Sequence, residues 1–224
     1  ALAGGDLPGA AGTSREDEGA LLEVDRAGRM CRKHRGTLIV QVGFSCGEVA
    51  KAVPTITDHN ALWINAKYLD SAWLRRRLVG RNSSRSFAAV VLAWPLTADA
   101  AVASQLCTLF RAARGVGVPI VCVLPETTAE MQIVQTRFIL QQADGRSWHL
   151  SPCTTGKGGT HWPLHIALFG LGWPPALGSR CRCAAGQPAP SGSPFVHLGY
   201  QLAAKIVRCI SEGISRRDRY SWET

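Results

Sequence analysis

Three segments of this chain are apolar at nearly every position, and a fourth comes close. They are residues 37–42 (Thr-Leu-Ile-Val-Gln-Val), 87–93 (Phe-Ala-Ala-Val-Val-Leu-Ala), 118–124 (Val-Pro-Ile-Val-Cys-Val-Leu) and the shorter 61–65 (Ala-Leu-Trp-Ile-Asn). A strand with one face in water alternates apolar and polar residues. A strand that is apolar throughout must be covered on both faces, which is the situation in a parallel sheet wrapped by helices. The intervening segments have helical character, so strand and helix alternate along the chain. The pattern predicts a three-layer Rossmann-like (flavodoxin-like) α/β domain with a parallel sheet.

The helices are read from spacing and caps. Residues 98–114 carry Val102, Leu106, Leu109, Phe110 and Ala113 on one face. Thr97 or Asp99 can cap that helix, and Gly115 stops it. A short helix is expected at 46–53 and another at 68–79, where Leu69, Trp73 and Leu74 share a face. A short basic helix fits 19–34. The last helix is expected over about 195–214, with Ser193 as cap and Pro194 in its first turn. Leu202, Ala203, Ile206, Val207, Ile210 and Ile214 form its apolar face, and Lys205 and Arg208 lie outside.

The organisation that follows is one α/β domain over residues 19–214, preceded by a Gly/Ala-rich, disordered extension at 1–18. Residues 141–193, rich in Gly, Pro, Ser and Trp, read as a loop-rich insertion. Residues 215–224 form a basic tail. No internal repeat is visible, and no apolar run reaches the length of a membrane span. The opening stretch lacks the apolar core of an intact signal peptide.

With 25 Lys and Arg against 16 Asp and Glu, the formal net charge is +9. That balance favours a polyanionic partner, nucleic acid before an anionic membrane surface. Of the eight cysteines, Cys107, Cys122 and Cys209 sit in apolar periodic segments, where a thiol behaves as a small hydrophobe. A reducing compartment is the reading.

Several local motifs bear on catalysis. Gly43-Phe44-Ser45-Cys46-Gly47 fits G-x-S-x-G between a strand and a helix, the turn that projects a nucleophilic serine in α/β-hydrolases. Its partners would be Glu126 with His149 or His161. Only one strand precedes the motif, however, and a tight turn relieved by glycine explains it as well. The same turn resembles the first loop of tubulin and bacterial division GTPases. The position of their second phosphate loop is Trp94-Pro95 here, which offers no row of free N–H groups. Residues 155–160 (Thr-Gly-Lys-Gly-Gly-Thr) lack the closing Gly-Lys-Ser/Thr of a phosphate-binding loop. Cys181 and Cys183, with Cys153, His149 and His161, offer metal-ligand chemistry. Yet C-x-C is a weak zinc signal, and free thiols in a loop are the simpler reading. No metal or other cofactor is expected, and no enzymatic activity.

The basic residues point elsewhere. Arg26, Arg29, Arg32, Lys33, His34 and Arg35 precede the first strand. Arg75, Arg76, Arg77, Arg81 and Arg85 lie between the second and third, and Arg208, Arg216, Arg217 and Arg219 come last. Arginine predominates, and its guanidinium makes bidentate contacts to phosphate. Three such groups favour an RNA backbone as the partner.

The order of these segments resembles small-subunit ribosomal protein S-2, above all its mitochondrial form. Gly36-Thr37-Leu38-Ile39-Val40 resembles that family's first strand. Leu62-Trp63-Ile64-Asn65 followed by Trp73-Leu74-Arg75-Arg76-Arg77-Leu78 resembles its Tyr-Val-Asn and Arg-Trp-Leu-Gly-Gly-x-Leu. Residues 87–93 are similar to its Asp-Leu-Ile-Ile-Phe-Leu strand. Residues 112–121 resemble Glu-Ala-x-x-x-x-Ile-Pro-Thr-Val, and Ser193-Pro194-Phe195-Val196-His197-Leu198 resembles Ser-Pro-x-x-Val-His-Leu. The likeness covers about residues 20–140 and 193–214. Arg75-Arg76 replaces the Gly-Gly pair, Pro125-Glu126-Thr127 replaces Asp-Thr-Asn, and the Ile-Pro-Gly-Asn-Asp-Asp segment is not recognisable. The bacterial-type helical hairpin insertion is absent between 78 and 86.

The resemblance implies a structural constituent of the mitochondrial small ribosomal subunit, located in the matrix. It would bind small-subunit rRNA and neighbouring ribosomal proteins, with no membrane partner. The residues expected to meet RNA are Arg75, Arg76 and Arg77 first, then Arg32, Lys33 and Arg35, with Arg81, Arg85, Arg216 and Arg217.

Overall fold

The structure is a computed structural model that describes residues 25–26, 28–30, 33, 37–43, 47–65, 76, 87–95, 100–126, 130–143, 147–150, 164–171 and 198–220. The elements in chain order are β1 (Leu38–Gly43), α1 (Glu48–Ile56), β2 (Asn60–Ile64), β3 (Phe87–Ala93) and α2 (Ala100–Gly115). There follow β4 (Ile120–Pro125), α3 (Glu130–Gln142), β5 (Ser147–Leu150), β6 (Leu164–Phe169) and α4 (Tyr200–Tyr220). The six strands form one sheet in the order β2-β1-β3-β4-β6-β5.

Strands β2, β1, β3 and β4 are parallel, as their uninterrupted apolar character predicts. The sheet as a whole is not parallel. β6 runs antiparallel to β4, and β5 runs antiparallel to β6. Both added strands lie inside 141–193, the stretch read from sequence as loop-rich. β6 is an apolar run, Leu-His-Ile-Ala-Leu-Phe, set among Gly, Pro and Ser that mask it. β5 is a four-residue edge strand, too short to show a period.

Register sorts the side chains into two layers. On one face Val40 is opposite Val90, Val90 is opposite Ile120, and Leu92 is opposite Cys122. These residues pack with Leu106, Phe110 and Ala113 of α2 and Ile139 of α3. Phe110 meets Phe169 edge-on at 4.9 Å and Phe138 at 6.4 Å between centroids. On the other face Ile39, Val91, Val121 and Ile166 pack with Val49, Ala52 and Val53 of α1 and with Leu202, Ile206 and Ile210 of α4. Burying a side chain of this size contributes roughly 1.5–3 kcal/mol relative to leaving it in water. The molecule therefore has helix, sheet and helix layers, with the two cores separated by the sheet.

The predicted stripe on α2 is buried in full, as is that on α4, where Lys205 and Arg208 are exposed. Helix α4 is displaced from its expected span. It begins at Tyr200, with the Gly199 carbonyl accepting from the N–H groups of Leu202 and Ala203, and it continues to Tyr220. The first residues of the expected basic tail are thus helical. Helix α1 likewise runs past Val53, carrying Pro54 within it. Helix α3 has no counterpart in the sequence reading. Its apolar residues do not keep to one stripe, and Val134 remains largely exposed. The caps proposed at Thr97, Asp99, Ser193 and Pro194 lie outside the described residues.

Two glycines are fixed by close approach. A Cβ on Gly43 would stand 2.4 Å from the Ala93 carbonyl oxygen, and one on Gly47 would stand 2.9 Å from Trp63 Cγ. Gly47 also has φ of 73° at the start of α1, a left-handed conformation that glycine adopts without steric cost.

Candidate nucleic-acid surface and the carboxyl edge of the sheet

Lys33 and Arg76 are the two sequence-predicted RNA contacts whose side chains the structure describes. Both are helical and exposed. Arg216 and Arg217 fall in the last turns of α4. Arg32, Arg35, Arg75, Arg77, Arg81 and Arg85 lie outside the described residues, as does the expected helix at 68–79 apart from Arg76.

Other cations emerge from the described surface. Arg26, Arg29, Lys51, Arg111, Arg114, Arg137, Lys205 and Arg208 are exposed, which with Lys33 and Arg76 makes ten. The exposed acids among the same described side chains are four: Asp25, Asp58, Glu126 and Glu212. Two of the arginines are held over aromatic rings rather than extended into water. The Arg111 guanidinium lies 5.3 Å from the Phe138 ring centroid and that of Arg114 lies 5.1 Å from the Phe169 ring. Such stacking fixes the direction of a cation at little cost in side-chain freedom.

The motif at Gly43–Gly47 joins β1 to α1, as expected of a strand-to-helix turn. Ser45 lies outside the described residues. Of its proposed partners, Glu126 and His149 are found together, with Glu126 Oε1 3.0 Å from His149 Nε2. In the sheet order β4, which Glu126 follows, is two strand positions from β1, and β5, which carries His149, is four. At the end of β3, the Trp94 N–H donates to the Val123 carbonyl at 3.0 Å. That N–H is committed to the sheet, and the side chain is buried.

Glu126 has a second imidazole partner. His165 Nε2 stands 3.4 Å from the same Oε1. The sheet builds this cluster. His165 is opposite Leu124 across β4 and β6, and His149 is opposite His165 across β5 and β6. Leu124 packs on the α2 side, so alternation brings His165, His149 and Glu126, two residues beyond Leu124, to that face. The imidazole centroids are 4.8 Å apart. Burial, with the facing His149 imidazole, holds His165 below the ordinary histidine value, and Glu126 partly offsets them. The cluster sits just beyond the carboxyl end of β4, the edge at which α/β sheets place ligands.

Sequence reasoning weighed Glu126 and His149 but passed over His165. Its signal is a histidine inside an apolar strand run, and only the antiparallel pairing says what it faces. Of the metal-ligand types weighed from sequence, Cys153, His161, Cys181 and Cys183 lie outside the described residues. Among the described residues no helix is long and apolar enough to cross a membrane. No protein-family model matches the chain, and neither does any curated protein or solved structure.

Proposed function

We propose that this chain is a non-catalytic, RNA-binding scaffold of a mitochondrial small ribosomal subunit, built on a flavodoxin-like body. The observation that carries the proposal is the charge of the described surface, ten exposed Lys and Arg against four exposed acids, on a chain with net charge +9. Cations spread over several elements suit the phosphates of a folded RNA, which are themselves spread over a surface. The strand order β2-β1-β3-β4 supports the flavodoxin-like reading. The resemblance to the S-2 family, segment by segment, supplies the ribosomal assignment, the rRNA and neighbouring-protein partners and the matrix location. Arg75, Arg76 and Arg77 are the first contacts, with Arg32, Lys33, Arg35, Arg81, Arg85, Arg216 and Arg217 around them.

The test is sedimentation of tagged chain from mitochondrial extract at low and high salt, paired with binding to purified small-subunit rRNA. The chain should travel with small subunits. Reversing Arg75, Arg76 and Arg77 to Glu should weaken binding and lower the salt slope by about 2–3, at about 0.7–0.9 per lost phosphate contact. Sedimentation as free protein at low salt, or an unchanged slope, would refute the proposal.

A further inference from the structure

We propose that Glu126, His149 and His165 form a binding site for one zinc ion at the carboxyl edge of the sheet, with a coordination position left open to water. Each residue is on a separate stretch of the antiparallel edge: Glu126 after β4, His165 within β6, His149 within β5. The two Nε2 atoms converge on a single carboxylate oxygen at 3.0 and 3.4 Å. All three candidate ligand atoms lie within 4.8 Å of one another.

Those separations suit ligands of one ion. With metal–ligand bonds of about 2.0–2.1 Å, neighbouring ligand atoms stand about 3.3 Å apart around a tetrahedral ion and about 2.9 Å around an octahedral one. The His149–Glu126 distance of 3.0 Å falls in that interval and the His165–Glu126 distance of 3.4 Å lies just beyond its tetrahedral end, so small side-chain rotations complete the set. Without an ion, the two lone pairs of the Glu126 oxygen can accept from both rings. The same three groups suit a divalent ion, which takes a lone pair from each neutral ring and is balanced in part by the carboxylate.

The donor set chooses the metal class. Two imidazoles and one carboxylate suit zinc and its neighbours, whereas magnesium and calcium prefer oxygen alone. Two histidines and a glutamate with a fourth, open position is a zinc set in its own right. Exposure agrees with an ion that enters from solvent: the His149 and Glu126 side chains are about half exposed and that of His165 is 24% exposed. Bound zinc would clamp the four-residue β5 and its partner β6 to the end of β4, where an edge strand so short has few hydrogen bonds of its own.

The experiment uses untagged full-length chain stripped with chelator and titrated with Co2+, whose visible d–d bands report tetrahedral ligation by nitrogen and oxygen. One Co2+ should bind per chain, Zn2+ should displace it, and excess Mg2+ should not. His149→Ala and Glu126→Gln should each weaken binding at least about 100-fold, since changes outside the ligand shell alone cost about 10–100-fold. His149 is half exposed, so its replacement leaves the core intact, and an unchanged circular dichroism spectrum verifies this. Zn2+ should raise the melting temperature of the parent chain and not that of His149→Ala. Failure of the parent chain to take up Co2+, equal affinity in the variants, or a thiolate-to-Co2+ charge-transfer band would each overturn the assignment.

Discussion

The Gln41 side-chain oxygen accepts a hydrogen bond from the Ala50 backbone N–H at 2.9 Å, across nine residues of sequence. Gln41 is the one fully buried polar side chain among the described residues, placed mid-strand in β1. Gly47, at the N-cap of α1, has no side chain with which to satisfy the first turn. The strand therefore supplies the acceptor that the cap lacks, and this bond ties α1 to the sheet.

Replacing Gln41 with Leu keeps the volume and removes the acceptor, leaving the Ala50 N–H unsatisfied. The expected loss is about 1–3 kcal/mol. Urea unfolding followed by circular dichroism measures it through the midpoint. An unchanged midpoint would show that another group satisfies the helix start.

Gly43→Ala should be more damaging. Its Cβ would stand 2.4 Å from the Ala93 carbonyl oxygen, backbone that cannot swing aside, and φ there is 150°. Overpacking of about 1–3 kcal/mol and a positive-φ cost of about 1–2 kcal/mol give about 2–5 kcal/mol in total. Gly115→Ala is the control, because a Cβ there meets nothing within 4 Å. The same unfolding measurement ranks the two variants, and equal stability would contradict the packing of β1 against β3.

Burial should silence three thiols. It pushes Cys122 well above its ordinary value, raises Cys107 against the opposing charge of Arg111, and lifts Cys209 from 9.0 to about 11, with Glu212 adding to the effect. Alkylation at pH 8, mapped by mass spectrometry, should leave these three unmodified in native protein and label them in urea. The pH dependence has a definite sign. Cys209 releases its proton at lower pH when unfolded than when folded, so its contribution to stability is full below pH 9. It is lost as pH rises toward about 11. Rapid native labelling of Cys209 would contradict its burial.

The sequence by itself determined the central body. β3 begins and ends where its apolar run does, and the stripes on α2 and α4 are buried residue for residue. Desolvation explains this: a segment apolar on all sides is stable only as a covered strand, and a helix with one apolar stripe only against a core. Tertiary structure decided the rest. The direction of β6, the membership of β5 and the partners of His165 depend on pairing between segments far apart in the chain. A run such as Leu-His-Ile-Ala-Leu-Phe satisfies its apolar faces equally whether it runs up or down the sheet. Only the hydrogen-bonded ladder with β4 orients it, and with it the two imidazoles that meet at Glu126.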